Sequence, residues 1–298
     1  MKVRASDEVW RLLYEPLTRR WGVALMRYLA RTADGDALLG DDDGVVPLEA
    51  AVPEHTSVRD ALPAAAAGTL PGADDATAER TPRGNYSLGA PVAEPGKLFG
   101  IGLNYVEHAG DLSEDAPEEP ASFFKPTTAA TGPGGPIRLP PAEISDRVTA
   151  EAELAVVIGR TCRNVDAADA DDVIAGYVPV IDMTAEDILQ RNPRFLTRSK
   201  SFDTFLVFGP HIAMPEPGAD LADTTVRTVI DGETIAENVV GNMTFSPREL
   251  VAYHSDVMTL QPGDVISTGT PGAGVIEPGS HVRAEVDGFG GVAADVTR

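Results

Sequence analysis

The chain has 298 residues and a formal charge of −22, from 24 lysines and arginines against 46 aspartates and glutamates. A surface this negative repels phosphate backbones and anionic lipid, so nucleic-acid binding and membrane attachment are excluded and small molecules or cations remain as partners. Hydrophobic residues at 43%, no apolar run long enough for a bilayer and one cysteine, Cys162, describe a soluble cytoplasmic protein without an internal disulfide.

Residues 1–25 hold both tryptophans, Trp10 and Trp21, and carry a charge of +2, unlike everything after them. They lack the pattern of a secretory signal and read as a non-native extension, with Met26 as the natural start. Residues 26–94 form a small N-terminal domain and linker. Two apolar runs around Asp34-Gly35 and Asp43-Gly44 predict hairpins, and the Ala- and Pro-rich stretch after residue 50 predicts one short helix in a loosely ordered linker.

Residues 95–298 change character. Short apolar runs (KLFGIGL, ELAVVIG, VPVID, DVIST) alternate with Gly/Pro turns, and Asp231-Gly232 and Asp287-Gly288 signal further hairpins. Asp166 is expected to start a short helix ending at Gly176. Ser246-Pro247-Arg248-Glu249 is a capping box, followed by an apolar stripe of Leu250, Val251, His254, Val257 and Met258. Long returns between strands predict a mixed sheet sandwich.

Chemistry concentrates in a few places. Glu151 and Glu153 are two apart at the head of a strand-like run, so both carboxylates face one side, and Asp182 closes a second such run. With no histidine or cysteine in either segment, an all-oxygen site suits Mg²⁺, Mn²⁺ or Ca²⁺ over Zn²⁺. His108 precedes Asp111 by three residues, the spacing at which a carboxylate orients an imidazole. Only Lys2, Lys97, Lys125 and Lys200 are lysines. Strong acidity with scarce lysine suggests a halophile, and makes each retained lysine a candidate for chemistry. The Gly-rich loop at 268–274 carries no Walker pattern and is expected to bring Thr270 and backbone N–H groups to a bound anion.

Six motifs in order carry a resemblance: KLFGIGLNYVEHAGD at 97–111, SFFKP, EAELAVVIG, GYVPVIDMTAED, SKSFDTF and LQPGDVISTGTPGAG. Together, over about residues 96–298, they closely resemble the catalytic core of the fumarylacetoacetate hydrolase family. The resemblance implies an α+β, β-rich fold: a mixed β-sandwich roll of the fumarylacetoacetase C-terminal type, usually homodimeric, behind a small N-terminal domain. It implies Glu151, Glu153 and Asp182 as ligands of a divalent metal. His108, in the Asn-Tyr-x-x-His pattern, becomes the water-activating base with Asp111 as its acid, and Lys200 becomes a catalytic lysine. Tyr105, Lys125, Gln190 and Thr270 become substrate contacts.

Two departures bear on the reaction. The acid beside the histidine is usually Glu and here is Asp111, one methylene shorter, with Glu114 as its alternative. The family's Thr-Ala-Arg-Asp reads Thr184-Ala185-Glu186-Asp187, reversing a charge expected near the metal. The implied reaction is metal-dependent hydrolysis of a carbon–carbon bond in an acylpyruvate or 1,3-diketo acid through an enolate. Same-scaffold alternatives are oxo-acid decarboxylation, 2-hydroxy-dienoate isomerisation and 2-oxo-3-deoxy sugar acid dehydration. A non-catalytic oxo-acid binder is the reading from another class.

Overall fold

The computed structural model describes residues 26–105 and 117–298. The expectations for residues 1–25 and for His108, Asp111 and Glu114 lie outside the described residues. Three short strands come first, β1 (Arg27–Arg31), β2 (Ala37–Asp41) and β3 (Gly44–Pro47), joined by the two predicted hairpin turns. Then follow β4 (Leu98–Gly102), β5 (Ala121–Lys125), β6 (Ala130–Thr131), β7 (Gly134–Arg138), β8 (Val148–Ile158) and β9 (Ile174–Ala185). The rest are β10 (Leu206–Phe208), β11 (His211–Met214), β12 (Thr225–Ile230), β13 (Glu233–Val239), β14 (Val265–Ser267), β15 (Ala273–Ile276), β16 (His281–Val286) and β17 (Gly290–Thr297).

They form two sheets. The large one runs β3-β2-β1-β11-β9-β8-β14-β4-β5, with β6, β10 and β15 attached beside this path, and the small one runs β13-β12-β16-β17-β7. Most pairs are antiparallel, but β14–β4, β10–β6 and β17–β7 are parallel, which makes the sheets mixed as predicted. Strands β1–β3 extend the large sheet through β11, so the N-terminal segment shares its hydrogen-bond ladder.

The long antiparallel pair β8–β9 is the spine, and every residue in it is buried. Alternation explains how a strand is buried on both faces. Leu154, Val156, Ile181 and Met183 pack with Val226, Val282, Val292 and Val296 of the small sheet. Ala155, Val157, Val178 and Val180 face the other way, onto Leu29, Leu39, Val58 and Leu62 of the N-terminal segment. By the same parity Glu151, Glu153 and Asp182 project from this second face, nearer its other end.

The capping box forms as predicted. Ser246 Oγ accepts the Glu249 N–H at 3.3 Å, the Glu249 carboxylate accepts the Ser246 N–H at 2.7 Å, and a helix runs Pro247–Val257. Its apolar stripe is shorter than expected: Leu250, Val251 and His254 are buried, but Val257 is 57% exposed at the helix end. The stretch from Asp166 also differs. It makes only a 3₁₀ segment, Ala167–Asp172, before the chain enters β9. Gly176 caps no helix; it lies in β9, where a Cβ would sit 2.3 Å from the Ala213 carbonyl oxygen of β11, so only glycine permits the pairing. No helix among the described residues is long and apolar enough to cross a membrane.

Candidate metal centre

Register brings the carboxylates together. Asp182 on β9 is the direct partner of Glu151 on β8, and Glu153 follows two residues along the same face. One oxygen from each lies within 4.8 Å of the others, and all three side chains are buried. Two buried lysines answer them. Lys125, closing β5, donates to Asp182 Oδ1. Lys200, at the end of the helix Leu196–Lys200, donates to Glu151 Oε2 at 2.7 Å and Asp182 Oδ2 at 3.1 Å. The Phe123 ring lies beside both ammonium groups, its centroid 5.9 Å from Lys125 Nζ and 5.2 Å from Lys200 Nζ. Gly100 makes room for that ring, since a Cβ there would sit 2.2 Å from it.

Hydroxyl and backbone donors complete the set. Thr184 Oγ1 donates to Glu151 Oε1 at 2.5 Å, and Ser267 Oγ donates to Glu153 Oε2 at 2.5 Å. The Gly269 N–H donates to the same Glu153 oxygen at 2.8 Å. Gly269 has φ +100, and a Cβ on it would lie 2.9 Å from Asn104 Cβ, so conformation and space both demand glycine. Asn104, itself buried, holds that loop by donating to the Thr268 carbonyl at 2.7 Å and the Phe245 carbonyl at 2.9 Å.

The electrostatics follow from burial and charge sign. Burial raises the Glu153 pKa to about 8, and the neighbouring Asp182 and Glu151 charges push the same way against Lys200 and Ser267. For Asp182 burial also acts upward, but Lys125 and Lys200 beside it win and hold its pKa below the usual carboxylate range. Burial depresses the Lys125 pKa more than Asp182 restores it, whereas for Lys200 the surrounding carboxylates overcome burial and raise it. Among the described residues the buried Tyr105 hydroxyl has no hydrogen-bond partner, and its pKa is raised by burial first and by Glu153 second. A buried, converging, all-oxygen donor set fits a hard divalent cation.

Of the other sequence candidates, Thr270 is buried but its hydroxyl donates to the Gly272 carbonyl at 3.0 Å. The Gly269 N–H, expected to face an anion, is taken by Glu153. Gln190 is exposed on the helix Glu186–Arg191 and donates to Glu186 Oε1 at 3.0 Å. Arg147 answers the reversed charge at Glu186, its Nε 2.5 Å from Glu186 Oε2. Ser267, Gly269, Asn104 and Phe123 were not singled out by sequence. Signals were available for three of them: Ser267 is a polar residue closing an apolar strand, Asn104 opens the Asn-Tyr-x-x-His pattern, and Gly269 lies in the Gly-rich loop.

Residues 97–297 match the family Fumarylacetoacetate (FAA) hydrolase C-terminal. The chain belongs to this family. The mitochondrial oxaloacetate tautomerase of Xenopus laevis is 36% identical over 223 residues, covering 72% of this chain and 69% of that one. The crystal structure of 5-carboxymethyl-2-hydroxymuconate delta-isomerase from Mycobacterium smegmatis is 35% identical with a TM-score of 0.72, over 92% of this chain and 100% of its own. The maleylpyruvate hydrolase of Sphingobium sp. SYK-6, solved with manganese(II) and pyruvate, is 28% identical with a TM-score of 0.73, over 91% and 98%. Hydrolase, isomerase and tautomerase chemistry thus all occur among family members similar to this one, and the buried acidic cluster is the site this member offers.

Proposed function

We propose that this member is a divalent-metal-dependent enzyme acting on a small 2-oxo acid through its enolate, with carbon–carbon hydrolysis of an acylpyruvate or 1,3-diketo acid as its reaction. The convergence of three buried carboxylates with two buried lysines carries this reading. With all five ionised the cluster has one excess negative charge. A divalent ion turns that into one excess positive charge, the complement of a carboxylate substrate. When bound, the ion supplies Lewis-acid polarisation of the 2-oxo group.

The protein's own groups do the rest. Lys125 and Lys200 hold positive charge beside the substrate's carboxylate and oxo oxygens. Tyr105 presents a buried hydroxyl that no group among the described residues engages. Thr270, just after the Gly269 turn, is assigned to the substrate's oxygens. His108 takes the proton of the attacking water, supported by Asp111 or Glu114.

Purified protein with Mn²⁺ or Mg²⁺ is tested against acylpyruvates, oxaloacetate, 2-hydroxy-dienoates and 2-oxo-3-deoxy sugar acids. Acylpyruvate cleavage is expected, lost on exhaustive chelation and in Glu153→Gln with the fold intact by circular dichroism. Full activity in either condition overturns the metal reading. The similarity to an isomerase and a tautomerase favours a second reading, enol–keto or double-bond isomerisation, which needs no hydrolytic water. The two separate on the base. Hydrolysis requires that Asp111→Asn or Glu114→Gln cost at least about tenfold in turnover. Indifference to both, with Glu153→Gln inactive, selects the isomerase reading.

A further inference from the structure

The three carboxylates of the cluster are not held alike. Asp182 has both oxygens engaged by lysines, Oδ1 by Lys125 and Oδ2 by Lys200. Glu151 has Thr184 on Oε1 and Lys200 on Oε2. On Glu153 both hydrogen bonds made among the described residues fall on the single oxygen Oε2, and neither comes from a charged group. One donor, the Gly269 N–H, is fixed by the backbone. The other, Ser267 Oγ, is a fully buried hydroxyl at 2.5 Å that makes no other hydrogen bond among the described residues.

Ser267 can reach Glu153 because of how β14 leaves the sheet. Ser267 is the last residue of β14 and pairs with Ala155 of β8, which puts Glu153 diagonally beside it on the same face. The next residue clips the chain down: Thr268 N–H and Oγ1 both donate to the Leu154 carbonyl, at 3.2 and 2.6 Å. Gly269, with its positive φ, then turns its N–H back to Glu153. Two donors on one oxygen fix the carboxylate plane. A glutamate otherwise turns freely about its last torsion, and that loss of order weakens any site built on it.

We propose that Ser267 is a positioning residue for the metal site: its hydroxyl, with the Gly269 N–H, locks Glu153 Oε2 so that Oε1 is the oxygen presented to a divalent cation. The inference rests on the metal reading above and adds to it a residue outside the ligand set. Groups that hydrogen-bond a metal-ligating side chain typically contribute about 10- to 100-fold in metal affinity. Ser267 acts by fixing geometry, so its loss affects metal affinity more than fold stability.

The test is Mn²⁺ binding by the whole chain, followed by titration calorimetry and by the electron paramagnetic resonance signal of free Mn²⁺, with melting of the metal-free protein alongside. Ser267→Ala is expected to weaken Mn²⁺ binding at least about tenfold while metal-free melting stays near that of the parent. Ser267→Cys keeps the shape with a poor donor, and it gives the same result should the alanine variant not fold. Ser255→Ala removes another fully buried hydroxyl, on the helix Pro247–Val257, and serves as the control. It is expected to leave Mn²⁺ affinity unchanged. An unchanged affinity in Ser267→Ala or Ser267→Cys overturns the proposal, as does an equal loss in Ser255→Ala. Failure of the unaltered chain to bind Mn²⁺ overturns the metal reading itself, a result distinguishable from the other two.

Discussion

Lys200 is a buried ammonium with two carboxylate oxygens at 2.7 and 3.1 Å, so its value lies in point-charge geometry as well as in sign. Arginine keeps the charge but spreads it over a wide planar fork that cannot occupy the same spot. Lys200→Arg should therefore lower kcat/KM at least about tenfold, because a 1.4 kcal/mol loss in positioning already amounts to that factor. Steady-state kinetics at saturating metal check it, and unchanged turnover makes Lys200 structural. His211 supplies a second residue-scale test, away from the cluster. It is buried on β11 against the Tyr28 ring, centroids 4.9 Å apart, and burial first, then Arg83, depress its pKa from 6.5 to about 3. The folded state therefore keeps His211 neutral where the unfolded chain protonates it. Its contribution to stability is full above pH 6.5 and is lost as pH falls toward 3. His211→Phe keeps a ring beside Tyr28 and removes the titration, so urea unfolding free energies should fall less steeply with acid over that window than in the parent. Equal slopes show that His211 is already charged in the fold.

Among the elements, the segment leaving β14 combines local and distant constraints, and it shows what a sequence does and does not disclose. Gly269→Ala forces a Cβ against Asn104 at a positive φ, so a loss of about 1–3 kcal/mol is expected from backbone strain. Denaturant melts measure it, and a neutral result shows that the loop relaxes without cost. That Gly269 belongs in a tight loop is readable from TGTPGAG; that its N–H meets Glu153 is not, because the partner is 116 residues away. The same division runs through the molecule. The Asp231-Gly232 turn, with φ of +51 and +87, and the Ser246 capping box were legible because their physics is local. Glu151 and Glu153 were legible as a pair because strand alternation is local too, and Asp182 because it closes an apolar run. The helix expected up to Gly176 failed for the opposite reason, since pairing between β9 and β11 decides that glycine. Arg147, which answers Glu186, and Ser267, which answers Glu153, are partners distant in sequence that no periodicity within one segment reveals.

At the scale of the whole molecule, the spine β8–β9 is buried on both faces, and the acidic cluster sits inside a chain whose charge of −22 must be tolerated everywhere else. Two electrostatic terms respond to salt in opposite directions. Surface ion pairs such as Arg227 with Asp287 and Glu237, or Arg248 with Asp171, weaken as salt screens them, but exposed pairs are each worth only about 0–1 kcal/mol. Repulsion among the excess acids is relieved by the same screening. Raising ionic strength from about 0.1 M to 1 M shortens the Debye length from roughly 10 to 3 Å, short enough to uncouple most surface carboxylates from one another. With 46 acidic against 24 basic side chains, the repulsive term is the larger, so Tm should rise between 0.1 M and 1 M KCl. A control isolates the cause. Near the isoelectric point of about 4.5 the net charge vanishes, and the gain with KCl should shrink toward zero there if screened repulsion is responsible. A Tm that falls with KCl at neutral pH would mean that the ion pairs dominate, and an equal gain at both pH values would assign the effect to salt acting on apolar hydration rather than on charge.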